Sequence, residues 1–160
     1  MKKYLSLFLV ILLLLSGCSA KDHAKFYYSR SEFQYHSPDS VIVSEYRDIT
    51  GHANDLSFLI SLYLMGPLEK DYVSLFPSGV RLLDVELAEK HLTIELSEIE
   101  TLSDAEYSLA CACMALTCLE LTDAQDVTIT SGSRSVTIDP NQLTIYDSGT
   151  PIETTTGGQQ

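Results

Sequence analysis

Basic residues are scarce in this chain: ten Lys and Arg stand against 22 Asp and Glu. A protein that grips nucleic acid, or lies along anionic lipid headgroups, needs Lys and Arg to neutralise phosphate. The composition argues against both roles. Long apolar runs are lacking too. The one run, from Leu5 to Leu15, is roughly a dozen residues, whereas a helix that spans a bilayer takes about 20. Familiar catalytic frames are also missing: there is no helix with paired histidines, no nucleophile elbow and no glycine-rich phosphate loop. His23, His36, His52 and His91 are scattered through the chain, and none stands with a nucleophile and an orienting group. No catalytic residue, cofactor or metal site is expected.

What is present begins at the first residue. Met1-Lys2-Lys3-Tyr4 is a short basic start, and the apolar run behind it gives the profile of a removable export signal. Leu15-Ser16-Gly17-Cys18 is a lipobox. Small residues before the cut fit an extended peptidase groove, and the Cys18 thiol is the nucleophile that takes up diacylglycerol. Cleavage after Gly17 and acylation of Cys18 would tether the protein to the outer face of the cell membrane. Loss of the leader removes Lys2 and Lys3, leaving eight basic residues against 22 acidic ones and a formal charge of −14. With Cys18 used by lipid, Cys111, Cys113 and Cys118 remain. An odd number excludes a complete disulfide framework, and a closed zinc site would need a fourth ligand that no neighbour supplies. The three read as small apolar residues of a buried helix face.

The chain divides into a signal peptide (1–17), a lipidated short tether (18–25), one folded domain (26–139) and a flexible tail (140–160), whose threonines and glycines offer little to bury. Aromatic and β-branched runs predict strands at 24–28 and 40–49, with a loop through His36 and Pro38 between them. Leu56, Leu59, Ile60, Leu62 and Tyr63 have helical spacing, and Gly66-Pro67 stops that helix. The period then falls to two. Leu83, Val85 and Leu87 alternate with Asp84 and Glu86, and Leu92, Ile94 and Leu96 with Thr93 and Glu95, around a Glu89-Lys90 bend. Ser103 and Glu106 form a capping box for a second helix. On its wheel Cys111, Ala115 and Cys118 share the apolar face; Thr117 and Glu120 lie opposite, and Cys113 falls toward the polar side, making it the expected exposed thiol. Val127, Ile129, Val136 and Ile138 flank Gly132-Ser133 in a last hairpin. The order β-β-α-β-β-α-β-β predicts an α+β fold, a mostly antiparallel sheet with both helices on one face.

Several pieces, in order, resemble the GerMN domain, a module of bacterial envelope lipoproteins in the sporulation and spore-germination family. They are Leu62 to Pro67 with its Gly-Pro ending, Phe76-Pro77-Ser78-Gly79-Val80, the hairpin from Leu82 to Ser97, Ala115 to Cys118, and Val127 to Gly132. Cys118 departs from the leucine more usual there, and Glu89-Lys90 from the familiar Asp-Gly. The resemblance implies a non-catalytic module, similar in fold to ring-building domains, that supports assembly of envelope protein complexes.

Apart from the resemblance, three classes of function are open to a lipoprotein of this size: an enzyme, a binder of a solute such as a peptidoglycan fragment, and a protein-interaction module. For the second, Tyr27, Tyr28 and Tyr35 are stacking candidates. For the third, Asp84, Glu86 and Glu95 share the polar side of the predicted hairpin, an acidic patch suited to a basic partner or a weakly held calcium ion. The expected partners are the bilayer, through acylated Cys18, and envelope proteins; nucleic acid is not one.

Overall fold

The computed structural model describes residues 22–31 and 41–142. Cys18, Tyr35, His36 and the tail beyond 142 lie outside the described residues. Strand β1 (His23–Arg30) begins within the stretch read as a tether and pairs antiparallel with β2 (Ile42–Asp48), placing Phe26 opposite Glu45 and Ala24 opposite Arg47. Helix α1 (Leu56–Leu64) follows. The Asp55 side chain caps it by accepting the Phe58 amide at 3.0 Å, and Gly66, at φ 92°, turns the chain out of it. Leu59, Ile60 and Tyr63 are its buried stripe. Tyr63 lies flat on Tyr28 of β1, with ring centroids 4.9 Å apart, and meets Phe76 edge-on at 6.4 Å. A strand of two residues, β3 (Tyr72–Val73), pairs with the far end of β1; it is too short for a period to reveal.

The second half builds on β4 (Leu82–Ala88), β5 (His91–Leu96), β6 (Asp126–Ser131) and β7 (Arg134–Ile138), side by side in that order. Both hairpins are antiparallel, whereas β5 and β6 run parallel. Parallel neighbours need a crossover. Helix α2 (Asp104–Leu121) provides it, and its start carries the predicted capping box between Ser103 and Glu106. The fold is α+β and mostly antiparallel. The strands form two sheets, β2-β1-β3 and β4-β5-β6-β7, in place of the single expected one, and α2 contacts strands of both.

That position also corrects the reading of α2. The helix packs on β1 from one side and on β6 and β7 from another, and every residue from Ala110 to Cys118 is buried. Cys113, expected to be the exposed thiol, is 2% exposed, and Thr117, expected on the wet face, is 1% exposed. A helix covered on several sides needs an apolar surface all round. The alanines and cysteines of this stretch supply it with small side chains that let both sheets come close.

Candidate functional site

The hairpin β4–β5 brings the three predicted acidic residues together. Asp84 is directly opposite Glu95 and Glu86 opposite Thr93; Asp84, Glu86 and Glu95 are all exposed. Across the rest of the sheet the same face turns to threonine. Glu95 neighbours Thr130, and Thr93 continues into Thr128 and Thr137, whose hydroxyls are 2.7 Å apart. Negative charge is thus concentrated at the β4 side. Like charges placed opposite one another in a sheet cost stability.

The other face of β4 departs from expectation at its start. The register shifts between Leu82 and Asp84, so Leu83 is the extra residue of a β-bulge and, instead of pointing to the helices, is 56% exposed. Leu82 takes the inward place opposite buried Leu96. Farther along, Val85 faces Ile94 and Leu87 faces Leu92. Ile94 and Leu92 are fully buried, yet Val85 is only half-buried and Leu87 is 42% exposed. Beside the start of β4, a depression of about 270 Å³ is lined by Ser61, Leu64 and Met65 of the α1 end and by Val80, Arg81 and Leu82. Met65 stands at its rim, 82% exposed.

Other charged groups are engaged in holding the fold. Glu45 and Arg47 are buried and ion-paired. The Glu45 carboxylate accepts the amides of Leu68 at 3.0 Å and Glu69 at 3.0 Å, while Arg47 donates to the Gly66 carbonyl. Together they fasten the chain leaving α1 onto β2. Burial works to raise the Glu45 pKa, but the Glu69 and Leu68 amides and the Arg47 guanidinium outweigh it and hold the carboxyl below its ordinary range. Arg134 lies over the Tyr107 ring at 4.0 Å and donates to the Leu102 carbonyl at 3.0 Å and to Asp104 at 3.1 Å, fixing the start of α2 to β7. His91 pairs with Asp126 at the edge of the parallel strands. Neither Glu45, Arg47 nor Arg134 was visible as a site in the sequence. Strand β2 carries charge on both of its phases, so alternation does not tell which face is inward.

Burial pushes the thiols of Cys111, Cys113 and Cys118 up to about 12 each, which suppresses the reactive thiolate at neutral pH. Tyr28, a stacking candidate, is fully buried against Tyr63 and unavailable to a sugar, and Tyr27 is half-buried. Among the described residues, no group of three or more His, Cys, Asp or Glu side chains is placed to hold a metal ion. No helix of the described residues is long and apolar enough to cross a membrane.

A solved structure from Clostridium perfringens, described as a candidate lipoprotein, is similar at 17% identity, covering 70% of this chain and 75% of that one with a TM-score of 0.44. No curated protein matches the chain. The model of the Germane family, described as sporulation and spore germination, matches residues 25–137. That span runs from the start of β1 into the last strand and takes in both helices and both sheets. The chain therefore belongs to the Germane family of sporulation and spore germination proteins.

Proposed function

We propose that the protein is held on the outer face of the cell membrane by lipid on Cys18, and that its single Germane module is a non-catalytic scaffold that holds envelope protein partners through the acidic face of Asp84, Glu86 and Glu95. The observation that carries this reading is the gathering of those three carboxylates on the exposed side of β4 and β5, where they cost stability and, among the described residues, fasten nothing. The fold's other charged clusters, Glu45 with Arg47 and Arg134 with Asp104, are used in packing. Burial and raised pKa values keep Cys111, Cys113 and Cys118 from acting as nucleophiles.

The test is in-cell crosslinking with identification of the captured proteins by mass spectrometry. Wild type is compared with Asp84→Thr/Glu86→Thr/Glu95→Ser at matched abundance. The triple variant should stay folded and lose partner yield, and wild-type yield should fall with added salt, because exposed charge contacts are screened. Equal yields would remove the acidic face from the account. Cys18→Ala should leave an uncut, unlabelled precursor; a variant still cut and labelled with fatty acid would end the anchor model.

A further inference from the structure

We infer that β4 is a docking edge at which an extended segment of a basic partner protein adds to the second sheet as another strand. The inference rests on the reading that the module holds protein partners, and it states where and by what geometry. Among the described residues, strand β4 is the end strand of its sheet, bonded to β5 on one side only. A free edge presents unpaired N–H and C=O groups that a further strand can satisfy. Proteins usually cover such groups, and this one does so on the side of β1 that the two-residue β3 leaves open, where α2 lies alongside and Thr117 accepts the Tyr27 amide. At β4, although α1 touches the strand, no further strand lies along its outer side among the described residues. From Leu83 to Ala88 every residue but Val85 is exposed.

Both faces of the edge specify what fits there. On the inner face Val85 and Leu87 lie opposite fully buried Ile94 and Leu92 but remain partly open. An added strand with apolar side chains at alternate positions would cover them. On the outer face its intervening side chains would stand beside Asp84 and Glu86, where Lys or Arg makes a favourable cross-strand pair. The bulge at Leu83 ends the regular edge at Asp84. Beyond it the incoming chain meets the depression between Leu64, Met65, Val80 and Leu82, which accepts an apolar side chain.

Charge also decides against a second copy as the occupant. Two β4 strands paired antiparallel about Val85 would set Asp84 of each against Glu86 of the other, beside Glu95 in both sheets. The same carboxylates that reject self-association select a basic strand, so attraction to one partner and repulsion of another come from one feature.

The test uses full-length lipidated protein in nanodiscs and two synthetic probes, a Lys/Val alternating peptide and its Glu/Val counterpart. The Lys/Val peptide should bind at least about tenfold more tightly, equivalent to about 1.4 kcal/mol, and slow amide hydrogen exchange between Leu82 and Ala88. Methylating its alternate backbone nitrogens should abolish binding. Asp84→Lys/Glu86→Lys should invert the preference toward the Glu/Val peptide, a gain that misfolding cannot produce. Unchanged preference in that variant, protection elsewhere in the fold, or no binding of either peptide overturns the inference. A photo-crosslinker placed in cells at Leu87 and, separately, at exposed Tyr46 separates this inference from the broader reading. Leu87 adducts that the Lys/Val peptide competes away support the edge. Adducts from Tyr46 alone overturn the edge and leave the interaction module standing, and adducts from neither position sink both.

Discussion

The backbone amide of Tyr27 in β1 donates to the hydroxyl of Thr117 in α2 at 2.9 Å, across 90 residues of chain. The same hydroxyl donates to the Cys113 carbonyl at 3.0 Å. On the side of β1 that the two-residue β3 leaves open, a helix side chain thereby closes the ladder, and the threonine is at once a helix residue and a substitute for a neighbouring strand. Thr117→Val keeps the shape and removes the acceptor, leaving the Tyr27 amide without its bond in a buried setting. The expected cost is about 1–3 kcal/mol, read by equilibrium denaturation, with Thr117→Ser losing less. A valine variant as stable as wild type would mean that the amide finds another acceptor.

The Glu45 carboxylate gives the fold an acid limit. Its folded pKa lies below the ordinary 4.5, so its contribution is fully present above that value and is lost as pH falls through the folded one. Glu45→Gln should therefore lower the melting temperature at neutral pH, and the gap from wild type should narrow steadily below about pH 4.5. A gap that stays constant from neutral pH into the acid range would show that the carboxylate's charge is not what fastens Gly66 to Glu69.

Local signals in the sequence set out most of the elements. Gly66-Pro67, the Ser103–Glu106 capping box and the alternation around Glu89-Lys90 each act within a few residues, and each stands where the sequence puts it. The acidic trio was legible for the same reason, since register across a short hairpin follows from the bend. What a wheel or an alternation cannot give is the number of neighbours a face has. Cys113 and Thr117 read as outward on a wheel with one apolar face, and packing of α2 against β1 as well as β6 and β7 buries them. Leu83 read as inward because a bulge changes phase without changing composition. Arg47 and Glu45 are legible only once the loop after α1 is known to return to β2.

The turn of the acidic hairpin holds a reserve of stability. Glu89 and Lys90 both have positive φ, 50° and 69°, a pair of values that hairpin turns of this hand reserve for Asn and Gly. Both side chains are exposed, so their replacement leaves packing untouched, and the Lys90 carbonyl still accepts the Gln125 amide. Glu89→Asn with Lys90→Gly should raise unfolding free energy by about 1 kcal/mol, measured by denaturant titration. A less stable double variant would show that the two side chains contribute something the backbone angles do not reveal.

The three thiols of α2 report on how tightly the two sheets hold the helix. Cys111, Cys113 and Cys118 are each no more than 2% exposed, and burial raises their pKa values to about 12. A thiol-directed reagent meets neither an accessible sulfur nor a useful fraction of thiolate in the native state. Labelling must wait for opening. Because the helix touches both sheets, no single element can move away and expose one cysteine alone, so the three should be modified together, at a rate that rises with denaturant along the global unfolding curve. Peptide mapping after a timed iodoacetamide pulse distinguishes the cases, since all three lie within one short stretch. Rapid modification of Cys113 by itself in native buffer would restore the one-sided helix that its wheel suggests and would move α2 out from between the sheets.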